Sequence, residues 1–377
     1  MNHSILQRER IQKLDIIRGF AILGIFLVNI PVMVGSSNVF TGIDKYISIF
    51  YALFVHTKFY TIFSFLFGLG FYIFISRAKE KGLTYNRLFV KRLLLLFVLG
   101  TVHYVFFWGG DILHTYALIG VFLLFFYRCT LKTLLIWAFS LFTIAHTFVL
   151  AFSLSLLEKE ETTSTLKPNY FAEWLSNVQE RAGDFFSTNL LFMEFIRLPE
   201  ILSLFLFGLY VGKKGVFYKI EEYKSSLRKW QIGSFVVSLL LSIPILLTFF
   251  QNETHEVKDY YLWVILSSKP LAMFYIITLM LAKRRWLNYF GYVGQMALTN
   301  YITHTLVGVV LLAALVTQPA NIALSIQIPI VLVVYSTQIF ISKWWLNRYR
   351  FGPLEWLWRS GTYGQFQSMK KERELEK

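Results

Sequence analysis

The sequence predicts an all-α polytopic transmembrane bundle of about ten spans with both termini cytoplasmic. Three observations carry that expectation. Ten apolar stretches recur near residues 16–35, 55–76, 88–108, 112–127, 131–156, 192–212, 232–250, 261–282, 289–316 and 323–342, most of them close to the roughly 20 residues that cross a hydrocarbon core as a helix. Basic residues concentrate in alternate loops. Hydrophobic residues make up 56% of the chain and charged residues only 16%, which is too apolar for a soluble globular protein of this length.

The loop charges set the orientation. One set of loops holds 29 basic and 9 acidic residues, net +20; the other holds 8 and 13, net −5. Positive loops stay in the cytoplasm. The overall +15 is therefore an orientation signal facing anionic headgroups, and it argues against a nucleic-acid partner. A single integral domain over 1–377 is expected. It divides into five spans (1–156), an extracytoplasmic loop (157–190), five more spans (191–345) and a cytoplasmic tail (346–377). The span count could be as low as nine or as high as eleven, because 112–127 is short.

Taken in order, the first stretch follows basic residues but lacks a small-x-small cleavage site, so it is a retained helix. It carries Asp15 and Arg18, three apart and able to pair on one face, and Asn29 about two thirds of the way across. Helix-dipole and positive-inside effects explain Asp15 and Arg18 as well as a cofactor-facing role does. The third stretch ends in His103 to Trp108, and Gly109-Gly110-Asp111 turns into the fourth, with His114 and Tyr116. A buried histidine in a span suits proton transfer, packing or metal ligation; Asp111 suits helix capping or contact with His103.

Residues 158–165 read as a flexible outer loop, and Phe171–Val178 as an interfacial helix with Trp174 at the headgroups. The segment Lys213–Trp230 reads as a basic inner loop. Two segments look alike, Ser64–Leu69 and Ser203–Leu209, each late in a helix and ahead of basic residues. They could mark two related halves or be chance. In the ninth stretch Asn300 and His304 share a face with Thr299 and Thr303 beside them. Such polarity must face protein or a cavity, and interhelical hydrogen bonding accounts for it too. After the tenth stretch, Trp344 to Arg359 reads as an aromatic and basic inner anchor. Cys129 is the only cysteine, so no internal disulfide forms, and no metal site is expected.

Four patches resemble the YeiB-like family of bacterial multi-pass membrane proteins, whose C-terminal half is a domain of unknown function. They are Leu14–Gly19 with Asn29, Lys58-Phe59 ahead of Phe63–Gly70, His103 through Trp108 to Leu113 with Tyr116, and Gly294–Tyr301 followed by Phe351–Arg359. The first-helix motif is similar to that of heparan-α-glucosaminide acetyltransferase, and both are grouped with transmembrane acyltransferases. The resemblance implies an acyl group passing from a cytosolic acyl-CoA-type donor to a small-molecule, glycan or lipid acceptor across a bacterial cell membrane. It implies catalytic roles for His103, Asp111 and Asn29, with His56 as an alternative histidine. It also implies binding roles for Asp15, Arg18, Lys58, Trp108, Tyr116, Asn300 and His304, and leaves room for a homodimer. A transporter or flippase, or a non-catalytic membrane partner, would use the same polar core differently.

Overall fold

A computed structural model describes residues 2–33, 40–156, 174–251, 260–311 and 322–371. The expected outer-loop run 158–165, the start of the Phe171–Val178 segment, the side chain of Trp174 and the last residues of the tail lie outside the described residues and side chains. The described chain is helical, with one isolated bridge between Tyr349 and Lys370 and no strand. In order the helices are α1 (Asn2–Met33), α2 (Ile43–Phe54), α3 (Lys58–Glu80), α4 (Tyr85–Phe106), α5 (Leu113–Gly120), α6 (Leu123–Phe126), α7 (Leu131–Leu156) and α8 (Trp174–Phe185). They continue with α9 (Thr188–Lys214), α10 (Ile220–Gln251), α11 (Tyr261–Leu281), α12 (Asn288–Gln295), α13 (Ala297–Thr305), α14 (Leu324–Arg348) and α15 (Pro353–Tyr363).

The chain is an all-α multi-pass membrane protein: among the described residues seven segments are long and apolar enough to cross a bilayer. Several stretches take a different shape from the expected uniform spans. Residues 112–127 form the two short helices α5 and α6. Residues 289–316 break at Met296, which leaves the helical region at φ −112°, ψ 37°, and a π turn follows at Leu306–Leu311. Non-helical backbone at membrane depth is tolerated only against protein or a cavity, which suits a segment packed on α1. The supposed Lys213–Trp230 loop is mostly helix, since α9 runs to Lys214 and α10 begins at Ile220.

One helix was not anticipated. In α2, Ile43, Tyr46, Phe50 and Phe54 are exposed while Ser48, Ile49, Tyr51 and Ala52 are buried, an amphipathic pattern of helical period. Its Asp44 accepts from the N–H groups of Leu324 and Ser325 at 2.9 and 3.0 Å, supplying the acceptors that the start of α14 lacks within itself. Thr57, in the left-handed region at φ 63°, turns the chain from α2 into α3.

The two look-alike segments face each other. A Cβ on Gly68 of α3 would overlap the Phe205 carbonyl, and one on Gly208 of α9 would overlap the Phe65 carbonyl. Positions 65 and 68 thus meet 205 and 208 reciprocally, the mark of a local two-fold relation. The helices are parallel: Lys79 near the end of α3 and Lys213 near the end of α9 both lie over the Tyr127 ring, at 4.6 and 5.8 Å. The element order repeats as well, since α1–α4 and α7–α10 each run long, 12-residue, long, long. Packing is exchanged to match: α4 meets α8 as α10 meets α2, and α5 meets α9 as α11 meets α3. Small residues let membrane helices approach this closely. Gly208→Leu is therefore expected to lower stability by about 1–3 kcal/mol or more through overpacking, read as a drop in the thermal midpoint of detergent-purified protein.

Candidate functional site

The centre of the site is the contact between the C-terminal end of α4, the start of α5 and the end of α13. Gly100 makes it possible, because a Cβ there would overlap the His114 backbone nitrogen and lie 3.0 Å from Asp111 Oδ2. Asp111 Oδ2 accepts from the N–H groups of Leu113 at 2.8 Å and His114 at 3.3 Å, so the carboxylate caps α5 and is held still. Its other oxygen is 2.8 Å from His103 Nδ1 and accepts from the Tyr301 hydroxyl at 3.3 Å. A carboxylate can only accept, so Nδ1 carries the proton. With Nδ1 as the donor, the acceptor position of the ring is Nε2. It faces the Thr305 hydroxyl at 2.9 Å. His103, Asp111 and Thr305 are exposed by 2%, 3% and 0%, so all three are buried.

A second histidine extends the network. His114 Nδ1 lies 3.3 Å from Asp111 Oδ2, and its Nε2 lies 3.6 Å from Glu194 Oε1 of α9. Thr115 Oγ1 donates to Glu194 at 2.9 Å, and Arg197 pairs with it at 3.2 Å. Tyr104 and Phe185 meet the His114 ring edge-on.

The other expected site residues lie elsewhere. Asn300 donates to Val293 O and Ser342 at 3.2 and 3.1 Å, and so ties the broken segment to α14. His304 bonds Gln338 at 2.8 Å and stacks on Phe26. Tyr116 shares a hydrogen bond with Ser64 at 2.7 Å and donates to Tyr60 O at 3.1 Å. Lys58 is fully buried with its ammonium on Ala52 O at 2.5 Å. Asp15 and Arg18 pair at 2.8 Å where α1 crosses α12, with Gly294 against the Asp15 carbonyl. Asn29 is half-buried and has no hydrogen-bond partner among the described residues, and Trp108 is half-buried over Gly110. The structure thus gathers His103 and Asp111 and leaves the remaining eight outside their hydrogen bonds. Among the described residues no group of three or more His, Cys, Asp or Glu side chains has an arrangement that could hold a metal ion.

Residues 211–365 match the family described as protein of unknown function (DUF418). That segment contributes Tyr301 and Thr305 but not His103 or Asp111. The full chain is 32% identical to an uncharacterized 39.9 kDa protein of Bacillus acidopullulyticus encoded in an amylase 3′ region, over 95% of both chains. The chain belongs to the YeiB-like DUF418 family. Within it the chain is 29% identical to uncharacterized protein YxaH of Bacillus subtilis over 98% of both chains. It is 27% identical to uncharacterized protein YeiB of Escherichia coli over 94% of this chain and 96% of that one. No solved structure matches.

Four groups were not anticipated. Thr305 and Glu194 complete the two ends of the His103 network. Glu200 and Lys269 pair at 2.5 Å, and both bond the Tyr60 hydroxyl, forming a second buried polar cluster where α3, α9 and α11 meet. Charge signs alone offered a clue there: Glu194, Glu200 and Lys269 are ionisable groups inside apolar runs. The fourth is Glu355 in α15, which the sequence places in an anchor and in a family patch without a role of its own. Its carboxylate accepts from Leu298 N at 2.6 Å, Thr299 N at 3.0 Å and the Thr299 hydroxyl at 2.6 Å, so it caps α13, the helix that delivers Thr305.

Burial pushes the Glu355 carboxyl above its ordinary value of 4.5, and the Thr299 and backbone hydrogen bonds offset part of that rise. A raised folded value means that the group's contribution is fullest below 4.5 and is lost as pH climbs through the folded value. Glu355→Gln keeps an acceptor for the α13 N–H groups and removes the charge, so its thermal midpoint is expected to fall less with rising pH over that window than the wild type's. Glu355→Ala leaves those N–H groups unpaired and is expected to cost about 1–3 kcal/mol, measured by thermal unfolding at the same pH values.

Proposed function

We propose that the protein is a membrane acyltransferase of a bacterial cell membrane, with His103 as its general base. The observation that carries this reading is the buried pairing of Asp111 with His103 Nδ1, which leaves Nε2 as the acceptor nitrogen. Acyl transfer requires a base of that kind, oriented by a third group. Asp111 fixes the tautomer and stabilises the imidazolium that forms when Nε2 takes a proton. The acceptor is a small molecule, glycan or lipid whose hydroxyl or amine loses its proton to Nε2.

The orientation belongs to this reading. Basic loops and both termini face the cytoplasm, which puts the His103 end of α4 in the outer half of the membrane. At the opposite end, a pocket of roughly 330 Å³ lined by Arg285, Trp286, Asn288, Tyr289, Tyr292 and Lys343 combines cations with aromatic faces. The Asp15–Arg18 pair lies on the same side. Cations and stacking surfaces suit the phosphates and base of an acyl-CoA-type donor. Asn300, Tyr116 and Lys58 act here as scaffold, because their hydrogen bonds run to other protein groups; His304 bonds Gln338 through Nε2 and keeps a buried Nδ1 without a partner among the described residues.

A second reading, a small-molecule or lipid transporter, is favoured by one observation: the two-fold relation of α3 and α9, with the Tyr60–Glu200–Lys269 cluster beside it. Repeats and broken helices are common in transporters. Incubation of purified protein with acetyl-CoA or palmitoyl-CoA separates the two. Release of free CoA, lost in His103→Ala, supports the transferase; donor left intact by the wild type, with substrate flux in vesicles lost in Glu200→Gln, supports the transporter.

A further inference from the structure

Five threonine hydroxyls in these helices turn back on their own backbone. Thr61, Thr147, Thr303, Thr337 and Thr362 each donate to the carbonyl four residues earlier, at 2.7–2.9 Å. That bond satisfies a helical hydroxyl locally. Thr305, at the end of α13 and fully buried, does not make it. Among the described residues its hydroxyl has one hydrogen-bond partner, the Nε2 atom of His103. The helix then changes to a π turn at Leu306–Leu311, a deviation found often at functional sites. Carboxylate, imidazole and hydroxyl are thereby joined in one line by contacts of 2.8 and 2.9 Å, the arrangement that activates a hydroxyl nucleophile.

We propose that Thr305 is the nucleophile and that transfer proceeds through an acyl ester on its hydroxyl. This rests on the transferase reading above. In the first step Thr305 Oγ1 gives its proton to His103 Nε2 and attacks the thioester carbonyl. The carbon–sulfur bond breaks, and the departing thiolate takes the proton from the imidazolium and leaves as thiol. In the second step Nε2 takes a proton from the acceptor hydroxyl or amine, which attacks the ester carbon. The bond to Oγ1 breaks, and Oγ1 recovers the proton from the imidazolium. Atoms and charge balance without any further reagent. The hydroxyl holds the acyl group between the departure of the donor and the arrival of the acceptor.

The test uses full-length protein in detergent with acetyl-CoA and palmitoyl-CoA carrying a labelled acyl group, quenched in acid and mapped by peptide mass. Label is expected on the peptide holding Thr305, retained in Thr305→Ser. It should be absent in Thr305→Val, whose shape matches threonine and whose folding is checked by thermal unfolding. Thr305→Val is expected to lower CoA release by about a thousand-fold, within the range for losing one member of such a triad. Label on His103, or CoA release by Thr305→Val at the wild-type rate, overturns the Thr305 assignment and leaves the transferase reading in place. Neither label nor CoA release in the wild type overturns both.

Discussion

Asp111→Asn is expected to preserve the fold and lower CoA release by about 10³–10⁴-fold. The amide oxygen can still accept from the N–H groups of Leu113 and His114, so α5 keeps its cap. The amide nitrogen then meets His103 Nδ1 and donates to it. That hydrogen bond forces the ring proton onto Nε2, and Nε2 stops being a base. In a serine protease the corresponding change costs about 10⁴ in turnover with the geometry kept; that is another protein's value, used here for scale. The measurement is CoA release across pH with thermal unfolding alongside. Unchanged turnover in folded Asp111→Asn would remove the tautomer argument. His103→Ala removes the base altogether and is expected to reduce release at least as far.

Gly100→Ala is expected to damage both stability and turnover while leaving every polar group of the site in place. The added methyl overlaps backbone at His114 rather than a movable side chain, so α4 and α5 must separate. Overpacking of this kind costs about 1–3 kcal/mol. The same displacement draws Asp111 and His103 apart, and about 1 Å of misplacement is enough for a hundred-fold loss of rate. A Gly100→Ala protein with wild-type thermal midpoint and turnover would show that α4 and α5 are not held at contact distance. Gly183, where a Cβ meets nothing, is the control position for the same substitution.

Much of the fold was legible because lipid permits so few solutions. Long apolar runs had to become helices, and those at 88–108, 131–156, 261–282 and 323–342 correspond to α4, α7, α11 and α14. Hydropathy cannot distinguish a span from a pair of short helices, and this is why 112–127 and 289–316 were expected whole. The helix α2 was missed because its 12 residues are too few to cross a bilayer and it runs almost directly into the next apolar stretch. The Ser64–Leu69 and Ser203–Leu209 likeness was visible in the sequence, but only three dimensions show that the two glycines meet each other's carbonyls.

The site was legible in half. His103 and Asp111 stood out as ionisable groups in or beside apolar runs, and eight residues of sequence separate them, a distance that a turn between two helices closes. Thr305 lies 202 residues from His103, and a threonine in a helix carries no charge to betray it. The polar stripe of α13 showed the reverse problem. Asn300 and His304 were the conspicuous residues, yet they turn towards Ser342 and Gln338 of α14, and the inconspicuous threonine next to them turns to the histidine. Glu355 was legible as a motif residue but not as a cap, since its partners Leu298 and Thr299 are more than fifty residues away.

The most direct measurement of the central claim is CoA release from acetyl-CoA and palmitoyl-CoA by detergent-purified wild type and His103→Ala, both shown to be folded. The account predicts saturable release by the wild type and a loss of at least a thousand-fold in His103→Ala. Equal release by the two proteins, or none by the wild type with either donor, would contradict it.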